Sequence, residues 1–209
     1  MDTVKRSRQE QAAATRQRIL DAAYDLFCQQ GYRATTMALV AERAGVAVQT
    51  VYFTFRTKDG LLQEVHDQTV LGRGTPVVPM QQPWYRAAAA ESDPIRATQL
   101  LVEGTGTILA RVAPMLPVFQ AVAADPAGEV YRNAEALRRP AMYDVARELL
   151  LPKGDLREGV DVAYAGDLLV VLLGPEIYRM YVLEVGWSHT RWVDWTAQVL
   201  LRELFAAAT

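Results

Sequence analysis

Cysteine and histidine are nearly absent: the 209 residues hold one Cys and two His. A lone thiol, Cys28, excludes an internal disulfide and a cysteine-built metal site. With no basic cluster beside it to lower its pKa, it reads as an inert thiol. The two histidines, His66 and His189, stand far apart and in no zinc-binding or catalytic spacing. There is no phosphate-cradling glycine loop and no Gly-x-Ser-x-Gly turn. The expectation is a chain that is not an enzyme and needs neither metal nor cofactor. Long apolar runs are missing too. The longest purely aliphatic stretch is Leu168 to Leu173, against the ~20 residues of a membrane span. Lys5, Arg6 and Arg8 are followed by Gln, Ala and Thr rather than by an apolar stretch, so no secretory signal is read. The expected location is the cytoplasm, with no membrane partner.

What is present is the composition of an ordinary globular protein, 51% apolar and 22% charged. The net charge of -2 conceals an asymmetry. Residues 1–60 hold nine Lys/Arg against six Asp/Glu, and the rest thirteen against eighteen. A basic head on an acidic body points to a polyanion as the partner of the head, with chance clustering of surface charge as the alternative.

Apolar periodicity predicts a first helix from Thr15 to about Gln30, with Ile19, Leu20, Ala23, Leu26 and Phe27 on one face, stopped by Gly31. Thr35 and Thr36 can cap a second helix that ends at Gly45, and a third spans about Val48 to Phe53. Ala41, Gly45 and Val51 then read as a small residue where two helices touch, a glycine for the turn, and a branched wedge. That is helix-turn-helix spacing.

From Thr15 to Leu62 the chain resembles the DNA-binding head of the tetracycline-repressor (TetR) family of bacterial regulators. The residues that carry the resemblance are Ile19, Ala22-Ala23, Leu26-Phe27, Gly31-Tyr32, Thr35-Thr36, Val40-Ala41, Ala44-Gly45-Val46, Thr50-Val51-Tyr52, Phe55, Lys58 and Leu61-Leu62. The family usually follows the turn with serine, often lysine, then glycine or alanine, whereas this chain has Ala47, Val48 and Gln49. The resemblance implies an all-α protein: a three-helix DNA-binding domain over 1–60, linked through a helix to about 72, and a helical ligand-binding and dimerisation domain over 73–209.

Pattern predicts helices in the second part as well. One runs from a Ser92 cap to Val112 with Gly104 and Gly106 inside it, which leaves either a ligand cavity or tight packing beside them. A short one, punctuated by Pro114 and Pro117, spans about Met115 to Ala124, and a long one runs from Asp125-Pro126 to about Leu151 with Val130, Ala134, Leu137, Ala141, Val145 and Leu149 in register. After the turn-rich loop 152–159 come helices over about 160–185 and 190–207. The stretch Gly72 to Ala90 reads as a linker and candidate hinge.

Val46 to Phe55 carries no charge, so recognition must be divided. Lys5, Arg6 and Arg8 read as a flexible basic arm, and Arg16, Arg18, Arg43 and Lys58 as further phosphate contacts, the last capped by Thr57. Neutral readers are left on the third helix. The DNA-contacting residues are expected to be Thr35, Thr36, Arg43, Val48, Gln49, Thr50, Tyr52, Phe53 and Lys58, with the Gln49 amide suited to an adenine edge. Thr105, Leu109, Met115, Phe119, Leu137 and Tyr178 are candidate pocket residues for a small-molecule inducer, with core packing as the alternative. Leu168, Val171, Leu172, Trp192, Thr196 and Val199 are candidate homodimer contacts, again with a buried monomeric core as the alternative. Together these predict a homodimeric repressor released from a palindromic double-stranded DNA operator by a small molecule, nucleoid-associated when bound. The competing reading is a DNA-binding interaction or architectural protein whose body recruits another protein.

Overall fold

A computed structural model describes residues 2–73 and 77–206, with side chains from Gln9 onward; Gly74, Pro76 and Ala207 of the segments above lie outside the described residues. Every regular element among the described residues is helical apart from one isolated bridge, Leu156 with Phe205. The chain divides into two compact units, one of Met1–Gln68 with Pro117–Tyr131, the other of Thr69–Leu116 with Arg132–Thr209.

In the first unit α1 (Asp2–Ala34) is interrupted at Gly31, whose φ of 79° leaves the helical region. Its start at Asp2 makes the backbone that carries Lys5, Arg6 and Arg8 helical rather than a flexible arm; those three side chains lie outside the described residues. Ile19, Ala23, Leu26 and Phe27 are buried, so the apolar stripe read from period 3.6 is the inner face. Thr36 caps α2 (Met37–Ala44) by accepting from the Leu39 amide at 3.2 Å. At its other end Gly45 takes the left-handed conformation, φ 65°. There the Gly45 amide donates to Glu42 O and the Val46 amide to Ala41 O. This paired closure satisfies the last carbonyls of α2 and turns the chain into α3 (Val48–Phe55). The turn that follows leads to α4 (Lys58–Leu71), whose Leu61, Leu62 and Val65 are buried. Pro117–Tyr131 joins this unit through Phe119, which stacks on Tyr131 at 5.3 Å and meets the buried His66 edge-on at 5.2 Å.

The second unit contains α5 (Pro83–Ala90), where the sequence had suggested only linker. Pro83 sits in the first turn, where its missing amide is harmless, and four alanines supply the best helix former. α6 (Pro94–Val112) is capped by Asp93 rather than Ser92: its carboxylate accepts from the Ile95 and Arg96 amides. α7 (Leu116–Ala121), which falls in the first unit from Pro117 on, is shorter than its pattern suggested. The long helix predicted from Asp125 is a turn at Pro126–Gly128, α8 (Glu129–Val145), and a wider π-helical turn over Ala146–Leu150. The helix predicted over 160–185 is broken: α9 (Val162–Leu172) ends before Gly174-Pro175, and α10 (Pro175–Tyr178) continues as a π-helical turn to Glu184. Proline cannot donate into the preceding turn and its ring disfavours a helical residue before it, so the break falls there. α11 (His189–Leu204), capped by Ser188, packs along α6.

The centre of this unit is Trp192, fully buried, T-shaped against Tyr178 at 4.8 Å. Gly106 lies under it: a Cβ there would meet the His189 ring at 2.9 Å and the Trp192 ring at 3.1 Å. At Gly104 a Cβ would collide with the Trp84 ring. Both glycines therefore serve close packing, the second of the two readings above.

Candidate nucleic-acid interface

The α2–turn–α3 piece is built by local chemistry. Val40, Ala41, Ala44 and Val51 are buried, and small side chains at 41 and 44 leave space for the branched wedge at 51. Burying Val51 and Phe55 turns the rest of α3 outward. Gln49 is exposed, Tyr52 is 52% and Phe53 90% exposed, while Val48 and Thr50 are half-buried. Thr54 returns its hydroxyl to Thr50 O at 2.8 Å. Ala47 occupies the cap position of α3 and has no side chain to bond the free amides. The departure from the family's usual serine thus leaves the amino end of α3 without a side-chain cap.

Four of the nine expected contacts have partners within the chain. Thr35 is fully buried and donates its hydroxyl to Gly31 O at 2.9 Å. Lys58 donates from Nζ to the carbonyls of Tyr32 and Thr35, both at 3.0 Å, with the ammonium 4.1 Å from the Tyr32 ring centre. Two of its three donors are committed to closing the end of α1 onto α4. Tyr32 in turn donates its hydroxyl to Asp59. Burial, then the Asp59 carboxylate, raises the Tyr32 phenol well above its usual range. Thr36 spends an oxygen lone pair on its cap and remains exposed; Arg43 is exposed and reaches Gln29 at 3.3 Å. Beside this face Arg16 pairs with Glu64 at 2.6 Å and lies over the Phe55 ring at 5.0 Å. Sequence reasoning passed over Arg56, which is exposed directly beyond α3.

The sequence "Bacterial regulatory proteins, tetR family" model matches residues 19–65, the stretch that holds these helices. The regulator YvkB of Bacillus subtilis is 43% identical over 61 residues, 29% of this chain; the chain spans only about a third of that relative, 32%. The regulator TtgW of Pseudomonas putida is 33% identical over 92 residues, 43% of this chain and 69% of the relative. The chain belongs to the TetR family of bacterial regulators. Solved structures extend the likeness of fold to more than nine-tenths of its length. NalD of Pseudomonas aeruginosa, the secondary repressor of the MexAB-OprM multidrug efflux pump, superposes with a TM-score of 0.68 at 18% identity, covering 95% of this chain and all of that one. A regulator from Saccharomonospora viridis in complex with choline gives 0.66 at 16% identity, over 92% and 98%.

The six residues expected around a ligand fall into different surroundings, five in the second unit and Phe119 in the first. Leu137 is 74% exposed, and Phe119 packs against His66 and Tyr131 in the first unit. Leu109, Met115 and Tyr178 are buried and Thr105 is half-buried; Tyr178 bonds His189 Nδ1 through its hydroxyl at 2.8 Å. Of the six expected dimer contacts, Trp192 and Thr196 are fully buried within their own chain and Leu172 nearly so. Leu168 and Val199 are half-buried and Val171 is 55% exposed. Among the described residues no helix is long and apolar enough to cross a membrane, and no cluster of three acidic, His or Cys side chains could hold a metal.

Proposed function

We propose that the protein is a homodimeric DNA-binding repressor, working in the bacterial cytoplasm, that leaves a palindromic operator when a small molecule occupies its second unit. The observation that carries the DNA reading is α3 itself: a helix anchored by Val51 and Phe55 that turns Gln49, Tyr52 and Phe53 to solvent. A charged recognition helix is not required, since phosphate contacts supply affinity and base contacts supply discrimination. Gln49, near the amino end of α3, is the reader: its amide can donate to and accept from an adenine edge in the major groove. Thr36, Arg43, Val48, Thr50, Tyr52 and Phe53 complete the contact surface, Arg43 on phosphate and Val48 against a thymine methyl.

Residues 1–60 act as the DNA-binding domain and 73–209 as the ligand-binding and dimerisation domain. The exposed apolar surface of Val171, continued by the half-buried Leu168 and Val199, supports the dimer. Support for a small-molecule effector comes from the choline-bound relative in fold, and for repression from NalD. The test is binding of wild type and Gln49→Ala to a library of operator variants. Loss of about 1–3 kcal/mol with relaxed preference at one position in each half-site is expected. Unchanged base preference would remove Gln49 as the reader.

A further inference from the structure

Arg56 is the one non-glycine residue with positive φ among the described residues, at φ 61° and ψ -53°. Its neighbours explain the geometry: the Thr57 amide donates to Phe55 O at 2.6 Å, spanning two residues, while the Arg56 amide closes α3 onto Tyr52 O at 2.9 Å. This is a γ-turn of the positive-φ hand, which is rare and strained for any residue with a Cβ. The turn cannot widen easily. Thr57 is fixed as the cap of α4, accepting from the Gly60 amide at 3.0 Å, and Gly60 approaches so closely that a Cβ there would lie 2.9 Å from Phe55 O. Glycine would relieve the strain at position 56, yet the chain places arginine there.

The Arg56 side chain is exposed, and among the described residues no ion pair or hydrogen bond holds its guanidinium. It lines an open groove of about 390 Å³ with Thr54, Gly60, Gln63, Glu64 and Asp67. The carboxylates of that groove are engaged elsewhere: Glu64 by Arg16 at 2.6 Å, Asp67 by His66 Nδ1 at 3.4 Å. A free planar fork of donors, one residue beyond the recognition helix, is matched to a phosphodiester oxygen pair.

We infer that the strained turn aims Arg56 at the DNA backbone, making it a phosphate anchor that fixes how α3 sits in the groove. The inference rests on the DNA-binding reading above. Because a phosphate contact is independent of sequence, a mixed-sequence duplex of 40 base pairs is a sufficient probe, titrated from roughly 50 to 200 mM salt. Arg56→Gly removes both strain and charge, so Tm rises by a few degrees while the salt slope shrinks by about 0.9 for each head engaged. Arg56→Gln loses the same slope without the gain in Tm, and Arg56→Lys restores the slope. A Gly variant with the wild-type slope overturns the anchor, and one whose Tm stays level or falls overturns the strain. If the wild type itself fails to bind the duplex at the lowest salt, the DNA reading falls and this inference with it.

Discussion

Lys58 carries contacts that its place in the sequence does not show. Its place in the first turn of α4, after a capping threonine, suggested a phosphate contact. In the structure its ammonium spans 23 and 26 residues to reach two carbonyls at the end of α1. No local pattern encodes a partner at that distance, whereas the Thr36 cap and the Gly45 turn, whose partners lie within five residues, were legible at once. Replacing Lys58 by alanine strips a charged donor from both carbonyls, and a loss of stability of about 1–3 kcal/mol is expected. Urea unfolding of the variant measures it. Undiminished stability with uniformly weaker DNA binding would return Lys58 to the phosphate contacts.

At the scale of elements, periodicity identified which face of a helix is apolar but not what covers it. α11 carries adjoining stripes. Trp192 and Thr196 were assigned to a partner and belong to the chain's own core, because Gly106 on α6 admits the Trp192 ring. The glycines of α6 thus specify an approach rather than a cavity. The continuous apolar run Leu168–Leu173 favours one unbroken helix, whereas Gly174-Pro175 ends α9. Gly104→Ala adds a methyl where the Trp84 ring lies. Overpacking costs about 1–3 kcal/mol, against roughly 1 kcal/mol gained in helix propensity. A net loss in thermal stability is expected, and a more stable variant would show that the ring moves aside freely.

For the whole molecule, the fold class and the head were readable because their determinants are short-range, while the sensor and the dimer depend on which surfaces meet. Leu137 at 74% exposure and Phe119 against His66 leave the pocket to be located by ligand binding rather than by pattern. The dimer is more tractable. Val171, at 55% exposure between the half-buried Leu168 and a buried Leu172, is the apolar side chain that most needs a partner on α9. A carboxylate at that position would be buried without a counter-charge in a dimer and solvated in a monomer. Val171→Asp is therefore expected to sediment at the mass of one chain while keeping its helical content. A variant that still sediments as a dimer would move the interface off α9.

The central claim is that two identical heads read one two-fold operator. Sedimentation of the protein with a duplex carrying a single footprinted site, compared with the same duplex cut to one half-site, tests it most directly. Two chains on the inverted repeat, with affinity collapsing on the half-site, is the expected result; one chain bound to an asymmetric site at full affinity would contradict it.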